Sequence, residues 1–248
     1  MIRSVLPLLL LGLAFGYQQV SDAHPVKVTS AAPTSQPCLA NVIRDLQAKW
    51  PDNAVVNIVA FGHSVPAGYG ATPIVQKRDA YPRLLEDALS ISYPHAVLNV
   101  ITEGVGGENS QQGLARFQRD ALDHHPRVVL IDYGLNDRAL TLQASARNLA
   151  TMADAARAAG ACPILLTPTW DTQAAPDRSG DALREQAAMI RQLGARLKVP
   201  VADSLAAFEA FGGDHAALMA QSNHPNRNGH LLVLQRLLPL FVPASAQP

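Results

Sequence analysis

The stretch that decides the fold covers residues 55–70, Val55-Val56-Asn57-Ile58-Val59-Ala60-Phe61-Gly62-His63-Ser64-Val65-Pro66-Ala67-Gly68-Tyr69-Gly70. Its first half, Val55 to Phe61, is an apolar run rich in β-branched residues that ends abruptly at Gly62-His63-Ser64. Such a run predicts a buried parallel strand, followed by a loop that carries Ser64. Because ligands bind at the carboxyl ends of the strands in open α/β sheets, Ser64 is the candidate centre of the chemistry.

The composition indicates one globular domain of ordinary type. The chain has 248 residues, a formal net charge of zero and 48% hydrophobic residues, which suits a single domain with a sizeable core. Neutrality argues against nucleic acid or an anionic membrane surface as the main partner. The composition sets no oligomeric state.

The first residues have the pattern of a secretory signal. Arg3 precedes a short apolar run, Val5 to Phe15, and Ser21-Asp22-Ala23 offers small residues at the positions that a signal peptidase reads. We therefore predict cleavage after Ala23 and an exported protein, periplasmic or secreted, with no stable membrane insertion after cleavage; the alternative is an uncleaved N-terminal anchor. The predicted organisation is a signal peptide (residues 1–23), a flexible leader (24–37), the main domain (38–243) and a short tail (244–248).

Two cysteines, Cys38 and Cys162, become informative if the protein is exported. Cys38 lies just before the first predicted helix of the mature chain, and Cys162 lies just before a predicted strand. Exported proteins form disulfides in their oxidising compartments, so one bridge between these residues is expected. The alternative is a pair of buried thiols.

Along the rest of the chain, apolar runs typical of strands alternate with helical patterns. This alternation predicts an α/β class with a parallel sheet, whose right-handed crossovers bring the C-terminal end of every strand to one edge. Ser64, the Gly104–Ser110 turn and Asn136 then lie side by side, and His224 can reach the same edge from the final loop. The predicted strands are residues 55–61, 96–101, 127–133, 163–168 and 199–203.

These residue types suit nucleophilic chemistry. A serine hydroxyl is a weak nucleophile until a base takes its proton, and His224 is the candidate base. A tetrahedral intermediate needs hydrogen-bond donors for its oxyanion. The candidate donors are the N–H of Ser64, the N–H of Gly107 and the side-chain amide of Asn136.

Four sequence blocks resemble those of the SGNH, or GDSL-type, hydrolases, in the order of that family. They are Gly62-His63-Ser64, Gly104-Val105-Gly106-Gly107-Glu108-Asn109-Ser110, Gly134-Leu135-Asn136-Asp137 and Asn223-His224-Pro225-Asn226-Arg227-Asn228-Gly229-His230. The resemblance implies a flavodoxin-like three-layer sandwich with a five-stranded parallel sheet. It also implies that Ser64 is the nucleophile, that His224 is the general base and that Ser64, Gly107 and Asn136 form the oxyanion hole.

The sequence departs from the family pattern at two positions. The usual Gly-Asp-Ser is Gly62-His63-Ser64 here, and Gln221 replaces the aspartate that the family places three residues before the histidine to orient its imidazole. Glutamine can accept a hydrogen bond but carries no charge. Three interpretations stay open: a Ser–His dyad completed by a backbone carbonyl, a carboxylate from another loop such as Asp214, or a weakened enzyme.

Several sequence features argue against a metal site, a phosphate-binding loop and an α/β-hydrolase elbow. The histidines and carboxylates lack metal-ligand spacing, so we expect no metal and no cofactor. No G-K-[ST] follows a glycine-rich turn, and Ser64 is not in the G-x-S-x-G pattern of an α/β-hydrolase elbow.

On the long loop after the fourth strand, Trp170, Asp171 and Asp177 are candidates for substrate contact, although exposed polar loop residues are usually solvated.

The sequence therefore predicts an exported serine esterase that hydrolyses carboxylic esters through a Ser64 acyl-enzyme. The expected substrate is a small-molecule or glycan ester with a short acyl group, since no apolar segment resembles a lid. Among such substrates, an acetyl ester of a carbohydrate is the first candidate. One alternative is an O-acyltransferase of the cell envelope that uses the same site. Another is a non-catalytic glycan-binding module.

Overall fold

The computed structural model describes residues 37–173 and 181–242. The predicted signal peptide, residues 24–36 of the predicted leader, Asp177 and the predicted tail lie outside these ranges.

A five-stranded parallel sheet forms the centre of the described structure, with the strand order β2-β1-β3-β4-β5. This is the strand order of flavodoxin-like folds, in which the direction of winding reverses between the first and third strands. The predicted fold class is therefore confirmed. The strands are β1 (Val55–Gly62), β2 (Val97–Gly104), β3 (Val128–Asp132), β4 (Cys162–Leu166) and β5 (Val201–Ala202).

Helices cover both faces of the sheet, and their apolar stripes face it. Helices α1, α3, α7 and α8 pack together on one face, and α4, α5 and α6 pack on the other. The helices are α1 (Pro37–Gln47), α2 (Ser64–Ala67), α3 (Tyr81–Ser92), α4 (Ser110–Asp120), α5 (Leu142–Ala158), α6 (Ala182–Leu197), α7 (Ser204–Glu209) and α8 (Arg227–Phe241).

The central strand β1 shows why this sequence forms a doubly covered sheet. Alternate residues face opposite sides of a strand. Val56, Ile58 and Ala60 belong to the core on the α1/α3/α8 side, and Val59 and Phe61 belong to the core on the α4/α5/α6 side. Because all five are fully buried, both halves of the alternation are apolar, as expected of a strand that is covered on both faces.

Two local elements differ from the sequence prediction. The residues after β1 form the short helix α2 rather than a loop, because the side chain of His63 caps its first turn and Gly68, with φ of 89°, ends it. The final loop contains a small antiparallel hairpin of β6 (Met219–Gln221) and β7 (His224–Pro225). These strands are too short to show a recognisable alternation in the sequence.

A disulfide joins Cys38 of α1 to Cys162 of β4, with an S–S distance of 2.04 Å and 124 residues of separation along the chain. It ties the first helix to the sheet, and it is the bridge that the sequence predicts. In residues 37–173 and 181–242, no helix is both long and apolar enough to cross a membrane.

Candidate active site

Ser64 is presented at the edge of the sheet by the abrupt change from strand to helix. Strand β1 ends at Gly62, and Ser64 is the first residue of α2. Ser64 is buried, with 5% of its surface exposed. A residue in the first turn of a helix has no intrahelical partner for its N–H. Both the hydroxyl and the N–H of Ser64 therefore lie at the carboxyl end of the sheet.

His224 contacts Ser64 from strand β7. Its Nε2 lies 2.9 Å from the Ser64 Oγ. Its Nδ1 lies 2.9 Å from the backbone carbonyl oxygen of Gly70. Because a carbonyl only accepts, Nδ1 must carry the proton of the neutral ring, which leaves Nε2 free to accept from the Ser64 hydroxyl. The hydrogen bond to Gly70 thus selects the tautomer that a general base requires.

The surroundings of His224 favour the neutral imidazole. Burial lowers the pKa of His224 below its ordinary value of 6.5, and the nearby His63 lowers it further, while the hydrogen bond to Gly70 opposes both effects. The net direction is downward, so the ring is unprotonated at neutral pH. A neutral imidazole beside a serine hydroxyl can remove its proton when that oxygen attacks a carbonyl carbon.

The carbonyl of Gly70 belongs to a small loop that Gln221 holds in place. Gly70 donates its N–H to the carbonyl of Ile74 at 3.0 Å, and Thr72 donates its N–H to the side-chain oxygen of Gln221 at 2.8 Å. Gln221 therefore contacts the loop rather than the imidazole. Asp214 accepts from the N–H of Ala216 at 2.9 Å, as the cap of a short helical turn. Neither side chain that the sequence offers as an imidazole orienter takes that position.

The three glycines at the end of β2 and in the turn that follows it have different surroundings. A side chain at Gly104 would meet the carbonyl oxygen of His63 at 2.6 Å, so this glycine allows close packing between β2 and the start of α2. Gly106 faces the ring of Tyr69. Gly107 has φ of 77° and open space where a side chain would stand. At Gly107, therefore, the positive φ, and not close packing, is the reason that a residue without a Cβ is favoured.

Asn136 lies beside this turn, at the end of β3. Its Nδ2 donates to the carbonyl of Glu108 at 2.9 Å, and the second hydrogen of the amide remains for another acceptor. Asp137 also stabilises this region, since its buried carboxylate accepts a hydrogen bond from the N–H of Ser110 at 2.7 Å. Burial raises the pKa of Asp137, and its hydrogen bonds, including that from Ser110, oppose the shift.

His63 takes the place of the family aspartate and acts mainly as a cap. Its Nδ1 accepts from the N–H of Val65 at 3.2 Å and lies 3.5 Å from the Ser64 Oγ. Its Nε2 faces the buried Asp132, with 3.6 Å between Nε2 and Oδ1. Asp132 in turn accepts from the hydroxyl of Tyr81 at 3.1 Å. The position therefore keeps a hydrogen-bond acceptor for the first turn of α2.

The loop after β4 packs against the protein rather than projecting into solvent. Trp170 is buried and stacks on His215, with 4.3 Å between ring centroids. Asp171 is also buried, and its carboxylate pairs with Arg138 at 2.8 Å. The structure thus gives both residues partners within the protein and does not leave them solvated. In the described part of the chain, no cluster of three or more histidine, cysteine, aspartate or glutamate side chains could hold a metal ion.

Sequence reasoning missed three residues of this region. Gly70 contributes a backbone carbonyl, which leaves no signal in the sequence. Glu108 and Arg116 form a buried ion pair with Nη2 and Oε2 2.5 Å apart. Glu108 stands directly after Gly107 in the second block, where a carboxylate next to a functional turn was the available signal. Arg116 looks like an ordinary surface residue of an amphipathic helix.

Comparison with known proteins agrees with this geometry. Residues 60–232 match the GDSL-like lipase/acylhydrolase family. The chain is 31% identical over 115 residues to the thioesterase 1/protease 1/lysophospholipase L1 of Escherichia coli, a match that covers 46% of this chain and 51% of that protein. It is 26% identical to the esterase TesA of Pseudomonas aeruginosa, over 83% of this chain and 95% of the relative.

A solved structure shares the fold. The acetylxylan esterase Axe2 of Geobacillus stearothermophilus superposes with a TM-score of 0.64 at 18% identity, over 75% of this chain and 94% of that one. The chain matches about half of the length of the E. coli relative. The family match covers more than half of the present chain and contains Ser64, Gly107, Asn136 and His224. The chain belongs to the GDSL-like lipase/acylhydrolase family.

Proposed function

We propose that this protein is a serine esterase in which Ser64 is the nucleophile and His224 is the general base. One observation carries the proposal: the Ser64 Oγ and the His224 Nε2 are 2.9 Å apart, and the other ring nitrogen is held at 2.9 Å by the Gly70 carbonyl. This is the geometry of a nucleophile and its base, with the base oriented by a third group. Membership of the GDSL-like family and the relative named as an esterase support it.

In the proposed cycle, the Ser64 oxygen attacks the ester carbonyl carbon while its proton passes to the Nε2 of His224. The carbonyl oxygen becomes an oxyanion, which accepts hydrogen bonds from the N–H groups of Ser64 and Gly107 and from the Asn136 amide. The intermediate collapses, the bond to the alcohol oxygen breaks, and His224 returns the proton to that oxygen. Water then repeats the sequence on the acyl-enzyme, releasing the acid and restoring Ser64.

A carbonyl in place of a carboxylate changes one part of this cycle. In serine proteases, replacing the triad acid by its amide costs about 10⁴-fold, because the imidazole adopts the wrong tautomer. Here the Gly70 carbonyl maintains the productive tautomer of His224. What it lacks is a full negative charge to stabilise the imidazolium. We therefore propose an active dyad enzyme, in which burial, reinforced by His63, lowers the pKa of His224 and the Gly70 carbonyl only partly offsets it.

For the substrate, we propose a carboxylic ester with a short acyl group, foremost an acetyl ester of a carbohydrate. The support is the fold shared with a protein named as an acetylxylan esterase. The apolar N-terminal pattern and the disulfide support export to the periplasm or the medium, with cleavage after Ala23, because disulfides persist in oxidising compartments. N-terminal sequencing of the exported protein tests the cleavage and should begin at His24.

The activity is tested by hydrolysis of p-nitrophenyl acetate by wild type, Ser64→Ala and His224→Ala. We expect a fall of at least about 10³-fold in kcat for the two variants. Matched controls are Ser92→Ala and His95→Ala, which alter residues of α3 and its C-terminal loop and should retain wild-type rates. Wild-type hydrolysis no faster than that of Ser64→Ala would contradict the esterase proposal and favour a glycan-binding module. Acyl transfer to an added sugar in preference to water would indicate the transferase.

A series of p-nitrophenyl esters from acetate to octanoate tests the acyl preference. The short-chain proposal predicts that kcat/KM is highest for acetate and declines with chain length. Release of acetate from acetylated xylo-oligosaccharides, compared with release from a simple alkyl acetate, tests the alcohol half. A preference for octanoate, or equal rates on both acetates, would contradict these two parts of the proposal separately.

A further inference from the structure

We propose that Arg116 and Glu108 are positioning residues that hold the proposed oxyanion hole in place. We call this pair the brace. This inference rests on the proposed function, because it assigns a role to residues around the same site. Arg116 lies on α4 and does not reach the reacting atoms, so its effect acts through Ser64, Gly107 and Asn136.

The guanidinium of Arg116 touches the ends of all three strands that carry the site. Its Nη2 lies 3.1 Å from the carbonyl of Gly62 at the end of β1 and 3.1 Å from the carbonyl of Glu103 near the end of β2. The same nitrogen lies 3.1 Å from the hydroxyl of Tyr133, which follows β3. The Cζ of Arg116 also lies over the ring of Phe61, 4.2 Å from its centroid.

Glu108 completes the brace by linking this cation to the oxyanion turn. The Nε of Arg116 lies 2.9 Å from each carboxylate oxygen of Glu108, and Tyr133 donates its hydroxyl to the same carboxylate at 2.8 Å. The main-chain carbonyl of Glu108 accepts from the Asn136 amide. Glu108 is therefore anchored through its side chain and its backbone, directly beside Gly107.

Arg116 forms ion pairs with two carboxylates, those of Glu108 and Asp120. The side chains of Arg116 and Glu108 are only 10% and 8% exposed. Burial opposes the charged form of Arg116, but its hydrogen bonds to Glu108 raise its pKa overall. Removing Arg116 would leave the buried carboxylate of Glu108 uncompensated, whereas removing Glu108 would leave Arg116 paired only with Asp120, with 3.3 Å between Nη1 and Oδ2. The pair is thus a rigid feature rather than a mobile surface contact.

Arg116 and Glu108 lie where the strands β1 and β2 end and the segments that carry Ser64 and Gly107 begin. The register of β1 and β2 ends at Gly62 and Gly104, and one further backbone hydrogen bond, from the N–H of Val105 to the carbonyl of Gly62 at 3.0 Å, joins the two segments. Oxyanion donors act only when they are held at hydrogen-bond distance from the developing charge, and a displacement of about 1 Å can cost about 10²-fold. Arg116 adds side-chain contacts at this edge, to Gly62 and Glu103 in the last two strand pairs and to Tyr133 just after β3.

The kinetic test compares Arg116→Lys and Glu108→Gln with a matched control, Arg191→Lys. Arg191 forms a similar two-point ion pair with Asp203, at 2.7 and 2.9 Å, far from Ser64 in the sequence and outside the site. With p-nitrophenyl acetate, we expect the two site variants to lose about 10- to 100-fold in kcat, with KM within about twofold of wild type. The pH midpoint of kcat/KM should not move, because His224 is untouched.

The control should lower the unfolding midpoint while kcat per folded molecule stays at the wild-type value. The brace is contradicted if the site variants keep their kcat, or if their loss matches that of Arg191→Lys after correction for folded fraction. A shifted pH midpoint would also contradict it, since the effect would then act through the base.

A second measurement does not depend on activity. Hydrogen exchange followed by mass spectrometry should show faster exchange over residues 103–109 in Arg116→Lys, and unchanged exchange there in Arg191→Lys. Unchanged exchange in both variants would overturn the brace. If wild type and Ser64→Ala hydrolyse the ester equally slowly, the esterase proposal fails, and the exchange experiment still decides whether Arg116 orders the turn.

Discussion

At the scale of single residues, the central feature is that the Nδ1 of His224 contacts a backbone carbonyl, where the family has a carboxylate. Gln221 occupies the sequence position of the family aspartate, yet its side-chain oxygen accepts from Thr72 rather than from the imidazole. The acceptor at the imidazole is Gly70, 154 residues away along the chain. Gln221 thus supports the loop that supplies the orienting group.

Gln221→Asp, which restores the family residue, should therefore bring no gain in activity. The shorter side chain loses the contact with Thr72, so we expect kcat to fall about three- to tenfold as the Gly70 carbonyl becomes less well placed. Gln221→Glu retains the length and one acceptor oxygen and serves as the control. Steady-state hydrolysis of p-nitrophenyl acetate measures all three proteins. A tenfold rise with aspartate would show that the wild-type enzyme lacks an orienting group.

The pH dependence of activity should follow the ionisation of His224. Protonated His224 cannot accept the Ser64 proton, so kcat/KM falls as the pH falls through its pKa. Because burial, reinforced by His63, lowers this pKa below 6.5 despite the Gly70 hydrogen bond, the midpoint should lie below 6.5 and the rate should be flat above about pH 7. A profile of kcat/KM from pH 4.5 to 8 measures it. A midpoint at or above 6.5, or no decline, would argue against His224 as the base.

At the scale of elements, the site is an assembly of strand ends and the turns that follow them. Strand β1 delivers Ser64, the turn after β2 delivers Gly107, and the segment after β3 delivers Asn136. The winding of the sheet reverses between β1 and β3, where open α/β folds place their ligands. Only His224 comes from outside the sheet, on the small β6–β7 hairpin.

The turn after β2 offers a comparison between two glycines in similar conformations. Gly107 and Gly160 have φ of 77° and 80°, and each has open space where a side chain would stand. Replacing either by alanine should cost about 1–2 kcal/mol in the free energy of unfolding, from the left-handed backbone. Only Gly107→Ala should also lower kcat, by about 10- to 100-fold, because it displaces a proposed oxyanion donor.

Urea unfolding and steady-state kinetics on both alanine variants separate the two effects. Gly160 ends α5 far from the reacting groups, so Gly160→Ala serves as the stability control. Equal kcat values in the two variants would remove the N–H of Gly107 from the proposed oxyanion hole.

At the scale of the whole molecule, the two helical layers hold the sheet, and the disulfide adds a long-range tie. It closes a loop of 124 residues between α1 and β4. In the chain-entropy account, a loop of this length restricts the unfolded chain by about 4–5 kcal/mol. The proposed catalytic pair lies at the carboxyl end of the sheet, whereas Cys162 is the first residue of β4, so we expect the bridge to affect stability rather than chemistry.

Removing the bridge should therefore destabilise the protein without changing its rate per folded molecule. The double variant Cys38→Ala, Cys162→Ala should lose about 4–5 kcal/mol in the free energy of unfolding, measured with urea at pH 7. Wild type in the presence of a reductant is the matched control and should move toward the variant. A loss below about 1 kcal/mol would show that α1 needs no covalent tie.

Most of the fold follows from local patterns that the sequence alone displays. The apolar run of β1, the glycine-rich turn after β2 and the Gly134–Asp137 segment are each read within a few residues, because strand burial and turn geometry depend on neighbouring side chains. The five strands, their parallel class and the approach of Ser64, Gly107, Asn136 and His224 to one edge were predictable for this reason. The short strands β6 and β7 were not, since their pairing depends on tertiary contacts.

The sequence by itself determined which side chains are available for the chemistry: a serine after a buried strand, a histidine in the last loop and a glycine turn between them. Only the tertiary structure decided which group accepts from the His224 ring and what Arg116 contacts around the turn after β2. The reason is physical. A backbone carbonyl such as that of Gly70 exists at every residue, and the surroundings of Arg116 depend on three strands that meet only in the folded chain. What distinguishes Gly70 and Arg116 is their position in space, which no local pattern in the sequence encodes.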